Sequence, residues 1–155
     1  MTYHMFIRPV ATVKNERSGM KDDNWGNVIS EITMVDDLPE ECLEGIDAFS
    51  HLEIIFNFDK ANSDHIIYGG SHPRENKTLP RVGIFAQRKK DRPNHIGTTI
   101  VKLLSRKGRT ITVEGLDADD GTPVLDIKPV SIEFLPFGEV RQPDWMTELM
   151  KDYWK

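Results

Sequence analysis

At 155 residues the chain is the size of one domain and long enough to bury a core without covalent staples. Its 38% hydrophobic and 29% charged content excludes a disordered polymer, and its single cysteine, Cys42, excludes an internal disulfide and a cysteine-rich metal site, which fits a reducing cytoplasm. A net charge of −5 excludes general coating of nucleic acid, which runs on neutralising phosphates with Lys and Arg, but leaves local basic patches free to act.

In chain order, MTYHMFIRPV meets an arginine and a proline before any long apolar run, so it reads neither as a signal peptide nor as a spanning helix, and no membrane segment is expected elsewhere. Alternation and β-rich apolar content predict strands in HMFIRPVATV (4–13), NVISEITMV (27–35), HLEIIFNF (51–58), RVGIFAQ (81–87), IGTTIVKLL (96–104), RTITVEGL (109–116) and PVLDIKPVSIEF (123–134). Between the second and third, PEECLEGID suits a single helical turn closed by Gly45. From Lys60 to Pro80 a long segment with Gly69-Gly70 and few core residues either shapes a binding site or is an excursion with no role. KGR and DDG read as turns, with Gly121 at positive φ and Asp119 or Asp120 bonding its own backbone. The closing PDWMTELMKDYWK predicts a helix over 144–154 capped by Asp144. Trp145, Met146, Leu149, Met150, Tyr153 and Trp154 would form one apolar stripe, packed on its own domain or at a dimer contact. Short strands at this spacing give a mainly β, mostly antiparallel barrel or sandwich, expected as one domain over 1–155.

Chemistry concentrates at 81–92, which carries Arg81, Arg88, Lys89, Lys90 and Arg92, the last four of them crowding one turn. Pro93 disfavours helix at Arg92, so the turn can present a planar guanidinium to a carboxylate or phosphate, although such a charge run also suits a solvated face. Asp117, Asp119, Asp120 and Asp126 lack the spacing and closing Glu of an EF-hand. His65 and His72, even with Asp64, Asp59 or His51, lack the short helical pair of a zincin, so no metal is expected. No Walker loop, GxSxG or GxGxxG is present, which leaves the common NTPase, hydrolase and dinucleotide folds without a motif.

Three blocks nevertheless resemble one family. LEGIDAFSHLEIIFNF, LPRVGIFAQRKKDRPNHIGTTIVKL and LDADDGTPVLDIKP are similar, in order, to the motifs LxGLExFSHLWVIFxFH, VGVFATRSPxRPNPIGLSVVxL and LDLLDGTPVLDIKPY of the TsaA/YaeB/TrmO-like proteins, and FIRPVATVKNE to their opening strand. The resemblance implies a non-Rossmann β-barrel methyltransferase that uses S-adenosyl-L-methionine, modifies N6 of threonylcarbamoyladenosine next to the tRNA anticodon, and forms a homodimer. It places cofactor contacts at Asp59, Lys60, Arg88, Thr98, Leu116, Asp117, Ala118 and Thr122. In this reading Arg88 pairs with the cofactor carboxylate, Asp117 accepts from its ammonium or ribose hydroxyls, and the backbone of Leu116 to Ala118 reads the adenine edge. Lys89, Lys90 and Arg92 would meet tRNA phosphates, while Asp126 or Asp91 is a candidate for taking up charge at the acceptor nitrogen.

The chain departs from the motifs at Lys89, Lys90 and His95, where the family carries Ser, Pro and Pro, and at Asp59, Lys60 and Val130. Two other readings therefore stay open: a protein that binds or senses the cofactor without transfer, and a methyltransferase acting on a small molecule.

Overall fold

The computed structural model describes residues 2–155. Eight strands form: β1 (Ala11–Lys14), β2 (Ile29–Met34), β3 (His51–Asn57), β4 (Gly70–Ser71), β5 (Val82–Gly83), β6 (Ile96–Lys107), β7 (Thr110–Glu114) and β8 (Pro123–Pro129). Six of them close into an antiparallel barrel in the order β1-β2-β7-β6-β3-β8, whereas β4 and β5 pair outside it. The mainly β, barrel expectation is therefore met.

Alternation explains the closure. In β2 the side chains of Ser30, Ile32 and Met34 turn inward while Ile29, Glu31 and Thr33 face out, and β3 buries Leu52, Ile54 and Phe56 in the same rhythm. Together with Val101, Ile111 and Val113, the apolar side chains Ile32, Leu52, Ile54 and Phe56 fill the barrel fully buried, each stabilising by about 1.5–3 kcal/mol relative to exposure. The longest ladder pairs β3 with β6 from His51↔Lys102 to Asn57↔Ile96, and it carries the start of β6 to the barrel mouth.

Several expectations are corrected. Segment 81–87 is not a barrel strand: only Val82–Gly83 pairs, with Gly70–Ser71, and Ile84–Ala86 forms a 3-10 turn, because the closed barrel offers no free edge for another strand. The first strand begins at Ala11 rather than His4, since Pro9 has no N–H to give a ladder. The last stops at Pro129, and Ile132–Phe134 turns as 3-10. The C-terminal helix (α1) spans Asp144–Leu149 and then gives way to turns; Pro143 stands at its N-cap with no side-chain bond, and Asp144 is its first helical residue. Segment 39–47 makes two 3-10 turns, Glu40–Leu43 and Ile46–Ala48, split at Gly45.

The long loop keeps its irregular character, with 3-10 turns at Ser63–His65 and Pro73–Glu75 on either side of β4. Gly121 has φ of 84°, as the turn requires. The neighbouring carboxylates do not bond their own backbone. Asp120 accepts from the Asn15 amide at 3.0 Å and Asp119 from the Met20 amide at 2.8 Å, so the bend anchors the segment between β1 and β2.

Candidate functional site

A cleft of about 730 Å³ opens at the barrel mouth. Its barrel side is the start of β6, from Ile96 to Ile100, with Phe56 and Glu53 of β3 and the bend Asp117–Asp119 after β7. Phe85, Arg88, Lys89, Lys90 and Arg92 form a rim, while Trp25 and the C-terminal tail stand opposite.

Gly97 lets the ladder reach the mouth. A Cβ there would lie 2.6 Å from the Phe56 ring and 2.8 Å from the Phe58 ring, which pack edge to face with centroids 5.1 Å apart. Next to it, Thr98 turns outward and donates to Glu53 Oε1 at 2.8 Å, while Thr99 turns inward and donates to Asp117 Oδ1. Asp117 Oδ2 accepts from the Tyr153 hydroxyl of the tail. Burial, and then the charge of Asp117 and the bond to it, push the Tyr153 pKa well above the ordinary tyrosine value, so the phenol is a fixed donor.

The basic turn is held by its own backbone. Arg92 Nη1 donates to the Gln87 carbonyl at 2.7 Å, Gln87 Nε2 to the Val82 carbonyl at 3.0 Å, and His95 bridges the Lys90 carbonyl at 3.0 Å and Ser63 Oγ at 3.2 Å. Histidine thus stitches the turn to the long loop at the position where the family motif carries a proline. Arg92 adopts extended backbone, φ −143° and ψ 159°, as Pro93 dictates. Arg88 stays exposed and spends one nitrogen on the Thr98 carbonyl at 2.9 Å, which aims the guanidinium across the start of β6 and leaves its other donors for a ligand.

Of the residues singled out for a cofactor, Asp59, Lys60, Arg88, Thr98, Asp117, Ala118 and Thr122 line this one cleft. Leu116 is fully buried in the core, so only its backbone can face a ligand. Lys60 reaches the Asp120 carbonyl at 3.0 Å and ties the end of β3 to the bend. Lys89, Lys90 and Arg92 share the rim.

The two candidate carboxylates for catalysis are not brought to the cleft. Register slips between Ile55 and Phe56, which pair with Asp126 and Val124, so Asp126 turns outward beside Ile55 and pairs with Lys128 at 3.3 Å. Asp91 lies under the basic turn, its Oδ1 buried with no partner among the described residues.

Sequence reasoning missed Tyr153, Thr99, Glu53 and Trp25. Tyr153 carries a signal only as part of an apolar stripe. Trp25 carries none, yet it is 2% exposed, under the Arg17 guanidinium at 3.9 Å from its ring centroid, with Arg17 also donating to the Asp23 and Asn24 carbonyls at 2.8 Å. Among the described residues no group of three or more His, Cys, Asp or Glu side chains is gathered for a metal, and no helix is long and apolar enough to cross a membrane.

Comparison with known proteins gives a consistent picture. Residues 15–134 match the family model of the tRNA-methyltransferase O N-terminal domain. A "Probable S-adenosyl-L-methionine-binding protein" of Archaeoglobus fulgidus is 36% identical over 128 residues, which are 81% of this chain and 34% of that protein. A "tRNA (adenine(37)-N6)-methyltransferase" of Mus musculus is 38% identical over 96 residues, 62% of this chain and 22% of that protein. The chain thus spans about a third or less of the length of these curated relatives. Among solved structures, TrmO of Pseudomonas aeruginosa superimposes with a TM-score of 0.74 at 23% identity, covering 92% of this chain and 62% of that one, which shows the shared fold.

Proposed function

The chain belongs to the tRNA-methyltransferase O N-terminal domain family, and from that premise we propose that it is a methyltransferase that takes S-adenosyl-L-methionine into the mouth cleft and methylates N6 of a modified adenosine beside a tRNA anticodon. The observation that carries the reading is that a free-reaching guanidinium, Arg88, and an oriented carboxylate, Asp117, line the same 730 Å³ cleft. Those groups suit the ends of an amino-acid-bearing nucleoside, and Phe56, Ile96, Gly97 and Ala118 add apolar wall between polar contacts, as a small-molecule site requires. The relatives' names for their own ligand and reaction support the same assignment.

In this reading Arg88 holds the cofactor carboxylate through a charge-assisted pair, Asp117 accepts from hydroxyl or ammonium donors, and the backbone at Leu116–Ala118 meets the adenine edge. Thr98 and Thr122 supply further polar contacts, and Asp59 and Lys60 close the cleft from the end of β3. When bound, the sulfonium supplies an electrophilic methyl group. The chain's own contribution is positioning: the β6 ladder fixes Thr98 and Thr99, and the pinned basic turn holds the rim against which an acceptor nucleotide is seated. Lys89, Lys90 and Arg92 serve phosphate contacts, which orient the nucleic acid without reading its sequence. With Asp126 and Asp91 outside the cleft, no general base is assigned.

The proposal includes one domain for the whole chain, a homodimer and a cytoplasmic setting. Calorimetry with S-adenosyl-L-methionine, followed by a tritiated-methyl assay on total tRNA, tests the activity. Saturable binding with label entering tRNA is the expected result. Binding without incorporation turns the reading to a cofactor-binding protein or to a small-molecule acceptor, and absence of binding overturns it.

A further inference from the structure

The stretch shared with the family ends at residue 134, yet the tail beyond it supplies Trp145, Met146, Leu149, Met150, Tyr153 and Trp154 to the cleft. Its six-residue helix is too short to hold itself in place. What holds it is the segment before β2: the Asn24 amide donates to the Asp152 carbonyl at 3.2 Å and the Trp25 amide to the Tyr153 carbonyl at 2.8 Å. A Cβ on Gly26 would lie 2.0 Å from the Trp154 carbonyl oxygen, so this segment is shaped to admit the tail backbone.

Tyr153 ends this chain of contacts on Asp117. An ionised carboxylate has about four acceptor positions, and donors on both oxygens, Thr99 on Oδ1 and Tyr153 on Oδ2, fix its rotation while leaving acceptor capacity on each. A flap that merely competed with a ligand for Asp117 would need no backbone bonds and no fitted glycine.

We propose that residues 145–154 are a fixed wall of the cleft and that Tyr153 is a positioning residue, holding the Asp117 carboxylate turned toward hydroxyl or ammonium donors of the ligand. This rests on the reading of the cleft as the S-adenosyl-L-methionine site. It makes a segment outside the shared family stretch a determinant of cofactor affinity.

The test is a double-mutant cycle read by calorimetry with S-adenosyl-L-methionine on the full chain. Tyr153→Phe keeps the ring and removes the hydroxyl, and is expected to raise Kd about five- to tenfold. In the Asp117→Asn background the same change is expected to add nothing, because the two groups act as one unit. Equal or tighter binding by Tyr153→Phe overturns positioning, and so does an equal loss in both backgrounds, which is what packing alone would give. Failure of the unaltered chain to bind overturns the cofactor reading and this inference together, whereas binding that depends on Arg88 but not on Tyr153 sinks the inference alone. Should Tyr153→Phe fold poorly, hydrogen exchange on the unaltered chain decides: the ligand is expected to slow exchange at Asp152–Trp154, and unchanged exchange there overturns the wall.

Discussion

The two sides of the cleft are built by different means. On the barrel side, Thr98, Thr99 and Gly97 belong to a strand whose seven-pair ladder with β3 is part of the closed sheet, and Arg88 and Asp117 hang directly from it. On the tail side there is no ladder: the segment around Trp25 and the turns after α1 are held by a stacked arginine, two backbone bonds and one fitted glycine. The charged groups that would orient a ligand sit on the rigid side, where half an ångström matters. The side that supplies shape carries Met146, Met150 and Trp154, which tolerate small adjustments.

The sharpest way to break this contrast is Gly97→Ala. The new methyl must displace two packed aromatic rings, Phe56 and Phe58, in the barrel wall, and overpacking of this kind costs about 2–3 kcal/mol. Urea unfolding is expected to show a lower midpoint at unchanged m-value, with ligand binding lost. A loss below about 1 kcal/mol would mean that the two rings move aside and that this wall is not tightly packed. Arg88→Ala comes next in size. It leaves the fold untouched because Arg88 is exposed and gives only one bond to a strand carbonyl, yet it is expected to weaken cofactor binding about tenfold, as loss of a charge-assisted pair does. Unchanged affinity would move the ligand carboxylate elsewhere.

How far the sequence reaches follows the same division. Strands β2, β3, β6, β7 and β8 are legible because alternation and a closed barrel answer to one rule, that inward positions are apolar. Arg88 and Asp117 are legible because they sit in long motifs. The strand expected at 81–87 fails because alternation in Val82 and Ile84 says nothing about whether an edge is free to pair, and here none is. Asp126 misleads for a related reason: a bulge reverses the face of every residue beyond it, and no composition marks the place. Tyr153 and Trp25 lie outside reach because what joins them is a backbone bond across 128 residues, from the Trp25 amide to the Tyr153 carbonyl, and the Asp117 carboxylate that Tyr153 meets and the Arg17 guanidinium that covers Trp25 leave no pattern in side-chain type.

The rim gives a smaller effect that separates it from both walls. Lys89→Ala combined with Lys90→Ala is expected to weaken tRNA binding a few-fold and to lower its salt slope by about 1 per lysine, with cofactor affinity unchanged. An unchanged slope would leave the two lysines as a solvated face.

The smallest effect is confined to alkaline pH and bears on how the tail is held. Burial beside Asp117 raises the Tyr153 pKa in the folded chain, while the unfolded chain keeps the ordinary value of about 10. Above that pH the unfolded state has released the phenolic proton and the folded state has not, so the unfolded state binds fewer protons and stability falls as pH rises. The contribution of Tyr153 is thus fully present below the unfolded value and is lost as pH climbs toward the folded one, at no more than about 1.4 kcal/mol per pH unit for a single proton. Comparing urea unfolding of the unaltered chain with Tyr153→Phe cancels the lysines common to both. The difference between the two is expected to be constant up to about pH 9 and to shrink beyond pH 10. A difference that grows with pH would mean that the phenol ionises more readily in the fold than out of it, which a hydroxyl donating to a carboxylate cannot do.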